Sequence, residues 1–142
     1  MKFLVTGAGG FLGGAIASAL LSRGDSVRLL ARRPLPELQT RDAELALGDI
    51  RDGEAVARAC DGVDAVFHVA GKVGLLGPAA EFEQVNVDGT RRVVEGCRRA
   101  GVPKLIFTSS PSVVFDGSDI AGVDESAPYA RHFDGHYSRT KA

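Results

Sequence analysis

Three features of this 142-residue chain predict a parallel, doubly wound α/β sheet. Short apolar or β-branched runs alternate with longer stretches of helical periodicity. The connections between them are too short for anything but crossovers, which forces neighbouring strands to run parallel. The first run also breaks at a glycine-rich turn before the first helix. The length suits one domain, and contents of 44% hydrophobic and 25% charged residues place the chain among globular rather than disordered sequences.

In chain order, residues 2–6 read as a strand and 11–23 as a helix with Leu12, Ile16, Ala19 and Leu20 on one face. Gly24-Asp25 stops that helix, and 26–31 form a second strand. Pro34 and Pro36 make 32–41 a loop with at most a short turn of helix. A shorter strand at 43–47 ends at Gly48-Asp49, and Asp52 or Gly53 caps a helix through Cys60 with Ala55, Val56 and Ala59 inward. The continuous apolar run 65–69 fits a strand buried on both faces. After a glycine-rich loop at 71–77, a long helix over 79–100 is closed by Gly101, and 104–108 form the fifth strand. Residues 109–135 read mostly as loop, and a last helix starts near Asp134. Residues 1–142 are therefore one Rossmann domain, with a second mononucleotide unit begun.

Composition excludes several classes. A net charge of −1 gives no case for nucleic acid or an anionic membrane. Cys60 and Cys97 show no metal-ligand spacing and read as reduced, partly buried thiols, so no metal is expected. No apolar stretch approaches the roughly 20 residues of a membrane span, and residues 1–5 are too short for a signal core. The cytoplasm is the default localisation.

The chemistry concentrates in two places. In Thr6-Gly7-Ala8-Gly9-Gly10-Phe11-Leu12-Gly13, a strand ends and a helix begins, the context in which a glycine turn receives a dinucleotide pyrophosphate. Gly7 permits the tight turn, Gly10 lets backbone approach the phosphates, and Gly13 lets helix pack on strand. An acidic residue after the second strand would favour NAD. Ala31-Arg32-Arg33 stands there instead, so Arg32 and Arg33 either clamp a 2′-phosphate, favouring NADP(H) over NAD(H), or solvate a loop. Asp49-Ile50 falls where an adenine edge lies, although Asp49 also suits helix capping. The second place is Tyr137-Ser138-Arg139-Thr140-Lys141, with Ser110 upstream. Tyr137 and Lys141 share one helical face, and positive charge beside a phenol favours its ionised form. A phenol so placed trades a proton with a carbonyl or alcohol oxygen, while Ser110 holds that oxygen. His68 reads as a packed, hydrogen-bonded core residue, and His132 and His136 as solvated loop.

These motifs, with Phe67-His68-Val69-Ala70-Gly71, Asn86-Val87-Asp88-Gly89-Thr90 and Thr108-Ser109-Ser110 between them, resemble the extended short-chain dehydrogenase/reductase family across the whole chain. Residues 108–117, with Asp124-Glu125 and Pro128-Tyr129, resemble its 3β-hydroxysteroid dehydrogenase branch. The Ala70-Gly71-Lys72-Val73-Gly74 loop resembles the bacterial 2-alkyl-3-oxoalkanoate reductases of that branch. Phe115-Asp116 replaces the Tyr-Gly usual in sugar-nucleotide epimerases. The resemblance implies catalytic Ser110, Tyr137 and Lys141. It implies cofactor contacts from Gly7, Gly10, Phe11, Leu12, Asp49, Ile50, Asn86, Thr108, Tyr137 and Lys141, with Val69, Ala70 and Gly71 contributing backbone. It also implies a small hydrophobic hydroxyl/ketone substrate, a homodimer, and a C-terminal substrate domain beyond residue 142. The expected activity is hydride transfer between a nicotinamide cofactor and a secondary hydroxyl/ketone pair. The rival readings are a sugar-nucleotide epimerase or dehydratase and a non-catalytic NADP(H)-binding domain.

Overall fold

A computed structural model describes residues 1–39, 42–74, 76–118 and 121–142, with Gln39 described by its backbone alone. Residues 40–41, 75 and 119–120, which belong to three of the expected loops, lie outside the described residues. Five strands, β1 (Lys2–Thr6), β2 (Ser26–Ala31), β3 (Glu44–Leu47), β4 (Ala65–His68) and β5 (Leu105–Phe107), form one sheet in the order β3-β2-β1-β4-β5. Every pairing is parallel. The order reverses between β1 and β4, and in such sheets the crevice beyond the strand ends at that point receives ligands.

Strand alternation builds two cores. Phe3 and Val5 of β1 face one side with Val27, Leu29 and Ala65, against Ala17 and Leu20 of α1 (Phe11–Ser22). Leu4 faces the other side with Leu30 and Val66, against α3 (Gly53–Cys60) and α5 (Gly89–Ala100). Successive side chains point to opposite faces of a strand, so one apolar run serves both layers. The short helix α2 (Pro36–Gln39) adds Leu38 to the first core. Among the described residues, no helix is long and apolar enough to cross a membrane.

Three elements differ from the sequence reading. In α1 the buried residues are Gly13, Ala17 and Leu20, while Leu12 and Ala19 are exposed. Small residues face the sheet because they let the helix axis approach it. The long helix at 79–100 is not uniform: α4 (Ala79–Phe82) passes into a π-helical segment (Glu83–Asp88) and then into α5. The last helix, α6, spans His136–Lys141. Other local expectations hold. Asp52 caps α3 by accepting from the backbone N–H groups of Glu54 and Ala55, and Gly101 closes α5 at φ +67°. Cys60 and Cys97 are both free and buried, in α3 and α5.

Arg28, in β2, ties the second layer to the sheet. Its Nη1 donates to the carbonyls of Ala59 at 2.8 Å and Asp61 at 2.6 Å, at the C-terminus of α3, and its Nε donates to Glu44 at 2.8 Å. A guanidinium there satisfies terminal carbonyls and meets the negative end of the helix dipole.

Candidate active site

The C-terminal ends of β1 and β4 are joined through one hydroxyl. Thr6 Oγ1 accepts from the backbone N–H groups of Val69 at 3.2 Å and Ala70 at 3.1 Å. With both lone pairs taken, its own proton goes to His68 Nδ1 at 2.8 Å. His68 is therefore the Nε2–H tautomer and donates to Thr90 Oγ1 of α5 at 3.0 Å. Burial, with the charge of Lys141 adding to it, pushes the imidazole down to about 4. His68 is thus the neutral, packed histidine expected from its strand. Thr6 and Thr90, which sequence reasoning passed over, hold it.

Above this junction the glycine turn fits a phosphate. Gly7 has φ +74°, and a Cβ there would lie 2.7 Å from the Ala70 nitrogen. A Cβ on Gly13 would strike the Gly7 carbonyl. Gly10 differs: its Cβ would meet only the Gly7 oxygen, at 3.4 Å. Internal packing therefore does not require glycine at position 10, whereas close approach of an outside group does. Gly10 caps α1 without a side-chain hydrogen bond, and the first turn holds no acidic residue. A twelve-residue helix so left presents N–H groups and a positive dipole end to an anion. Phe11 is 97% exposed and Leu12 exposed, so both offer backbone at this turn while their side chains face outward.

A second set of pins sets the Tyr–Lys helix. Asn86, buried in the π-helical segment, accepts from the Lys72 N–H at 2.7 Å and donates Nδ2 to the Lys72 carbonyl at 3.0 Å. The same Nδ2 group donates to Thr140 Oγ1 of α6 at 2.9 Å. Asn86 therefore clamps the loop after β4 to α6. A π-turn at a functional site is a common device for re-aiming one side chain. Ser109 Oγ donates to the Lys141 carbonyl at 3.2 Å, fastening the far end of α6.

Lys141 is only 6% exposed. Its Nζ donates to the Thr108 carbonyl at 2.8 Å and lies 4.6 Å from the centroid of the Phe107 ring. A Cβ on Gly71 would come within 3.2 Å of that nitrogen, so the glycine makes room for it. Burial lowers the ammonium's pKa from its ordinary value. Tyr137, four residues earlier, is half-buried, and α6 packs on the 3₁₀ turn Pro111–Val113 that Ser110 caps. Ser110 Oγ accepts from the Ser112 N–H at 3.2 Å and shares a 2.9 Å hydrogen bond with Ser112 Oγ. His136 and His132 are exposed, with the His136 ring 5.8 Å from that of Phe82.

The remaining predicted contacts fall into two groups. Gly71, Asn86, Thr108 and Lys141 come together, whereas the N–H groups of Val69 and Ala70 are already taken by Thr6, leaving their carbonyls. At the other end of the crevice, Arg32 and Arg33 are exposed beyond β2, and Asp49 follows β3. The Ile50 side chain is buried in the second core, so only its backbone can face a ligand.

The model of the 3-beta hydroxysteroid dehydrogenase/isomerase family matches residues 4–142. A 2-alkyl-3-oxoalkanoate reductase of Shewanella oneidensis is 42% identical over 138 residues, covering 97% of this chain and 36% of that protein. A 3-beta-hydroxysteroid dehydrogenase of Mycolicibacterium neoaurum is 40% identical over 147 residues, covering 99% and 40%. Among solved structures, a short-chain dehydrogenase/reductase superfamily protein from Agrobacterium tumefaciens with bound NAD matches at TM-score 0.86 and 32% identity, over 99% of this chain and 42% of that one. The Thermus thermophilus UDP-glucose 4-epimerase in complex with NAD matches at TM-score 0.87 and 29% identity, over 100% and 48%. The chain spans less than half the length of these relatives.

The His68 junction predicts a pH dependence. His68 stays neutral in the fold down to about pH 4, but an unfolded histidine takes a proton below about 6.5. The unfolded state binds more protons in that window, so stability is lost as pH falls through it, by about 2–3 kcal/mol between pH 6.5 and 4.5. Urea unfolding at pH 7.0 and 4.5 will show this loss in the wild type and a smaller loss in His68→Gln. Equal losses would remove His68 as its source.

Proposed function

The chain belongs to the 3-beta hydroxysteroid dehydrogenase/isomerase family, and we propose that it is the cofactor-binding and catalytic part of an NAD(P)-dependent oxidoreductase. Its reaction interconverts a secondary hydroxyl and a ketone on a hydrophobic, steroid-like or 3-oxoacyl-like substrate. The observation that carries this reading is Lys141: a buried ammonium held by a backbone carbonyl and an aromatic ring rather than by a carboxylate. Such a charge costs stability unless something else uses it.

When bound, a nicotinamide cofactor supplies or accepts the hydride. The turn at Gly7, Gly10, Phe11 and Leu12 holds its phosphates by backbone N–H groups. Lys141 and the backbone at residues 69–71 hold its ribose and ring, with Thr108 behind them. Ser110 donates a hydrogen bond to the substrate oxygen. One of its lone pairs is taken by the Ser112 N–H, and with Ser112 Oγ as donor in the shared hydrogen bond the Ser110 proton is left for that task. Tyr137 gives its proton to the oxygen in the reductive direction and takes one back in the oxidative direction. The Lys141 charge stabilises the phenolate that results. Asn86 acts at one remove, by holding α6 against the loop after β4.

The charge pattern at the adenosine end favours NADP(H). Arg32 and Arg33 are exposed; hydrogen bonds from Arg51 chiefly hold the Asp49 carboxyl below the ordinary range, and the nearby Arg32 charge adds to them. A second reading, a sugar-nucleotide epimerase, has the solved epimerases of like fold in its favour. The exposed Phe115 followed by Asp116, and the reductase and dehydrogenase relatives at 40% identity or more, favour the first.

Tyr137→Phe, placed in the protein together with any domain that follows it, will lower turnover of a hydrophobic ketone by at least about 100-fold and leave cofactor affinity nearly intact. Surviving turnover would remove Tyr137 from the mechanism. Replacing Arg32 and Arg33 together with Ala will weaken NADPH binding far more than NADH binding in a fluorescence titration. Equal losses would assign both arginines to solvent.

A further inference from the structure

The turn after β3 holds its carboxylate unusually firmly for an exposed ion pair. Asp49 Oδ1 accepts from the Arg51 backbone N–H at 2.9 Å and from Arg51 Nε at 3.1 Å. Asp49 Oδ2 accepts from Arg51 Nη2 at 2.8 Å. The turn closes on itself through the Asp52 N–H and the Asp49 carbonyl, at 2.9 Å. A carboxylate offers about four lone-pair sites. Arg51 takes both of those on Oδ1 and one on Oδ2, so one acceptor direction is left, on Oδ2. The side chains are 25% and 45% exposed, and a pair that exposed contributes little to stability. What the grip does achieve is direction.

Direction is useful at this place. β3 lies beside β2 with Leu47 opposite Ala31, so Asp49 emerges next to Arg32, at the adenosine end of the crevice. We propose that Arg51 is a positioning residue that presets Asp49 as a reader of the adenine amino group, so that Arg51 governs base selectivity without touching the base. The inference rests on the dinucleotide reading given above. An ionised carboxylate is acceptor-only: it takes a hydrogen bond from the N6 amino group of adenine and repels the O6 of hypoxanthine. Hypoxanthine still has an N1–H donor one atom away, and a carboxylate free to swing would reach it. One held by two guanidinium nitrogens and a backbone N–H cannot. The discrimination therefore comes from the fixed orientation rather than from the charge.

The test compares NADPH with the reduced hypoxanthine analogue of the same dinucleotide, both titrated through nicotinamide fluorescence. The wild-type chain will prefer NADPH by about tenfold, the weight of one hydrogen bond to a charged acceptor. In Arg51→Leu, and equally in Arg51→Lys, the preference will fall to about twofold, because a lysine keeps the charge but not the two-point grip. Retention of the full preference in both variants would overturn the proposal. So would a wild type that binds both dinucleotides equally. A wild type that binds neither would instead overturn the cofactor reading, and the proposal with it.

Discussion

One threonine hydroxyl sets the position of everything around the crevice. Thr6 Oγ1 serves two backbone N–H groups of the loop after β4 and one nitrogen of His68, at the point where the sheet changes direction. Without it, the N–H groups of Val69 and Ala70, both half-buried just after β4, would lose the hydroxyl that accepts from them. With it, the glycine turn and the loop at residues 69–71 are held at a fixed separation. Gly7 lies so close to Ala70 that no side chain fits between them. The glycine turn and the loop at residues 69–71 are thus two sides of one hydrogen-bonded junction.

Asn86 extends the same logic outward. Its amide joins Lys72 and Thr140, so α6 inherits its position from the loop after β4, which inherits its own from Thr6. Lys141 then enters the space left by Gly71, above the Phe107 ring. Each pin is buried and polar, and a polar group so placed admits few alternative packings. Burial keeps His68 neutral, and the lysine's charge adds to that effect. The His68 hydrogen bonds and the Lys141 ammonium therefore support each other: protonating the imidazole would set two cations close together in a dry site.

The legible and illegible parts of this chain divide on physical lines. The glycine turn, the β rhythm and the Asp52 cap were readable because each rests on neighbours within a few residues. The tyrosine, lysine and serine were readable as a set of residue types in order. Their holders were not, because Thr6, Thr90 and Thr140 reach partners 54 or more positions away or across layers, and a threonine carries no pattern of its own. The π-helical segment escaped because its only trace is a slip in the helical period, which in this stretch looks like ordinary amphipathic drift. In α1 the helical period put Leu12, Ile16, Ala19 and Leu20 inward, and of these Leu20 is buried. Close packing instead selected Gly13 and Ala17, where size rather than hydrophobicity decides. Ile50 was expected to contact the cofactor, and its side chain belongs to the core.

The central claim is that the glycine turn and the Tyr–Lys helix form one site, joined through Thr6 and Asn86. The most direct measurement is a set of intermolecular nuclear Overhauser contacts in the chain saturated with NADP⁺. The account predicts contacts from the nicotinamide H4 proton to the Tyr137 ring and the Thr108 methyl group, alongside contacts from the adenine H2 proton to residues following β3. Adenine contacts with no nicotinamide contact to either Tyr137 or Thr108 would mean that the two halves do not meet on one ligand, and would contradict it.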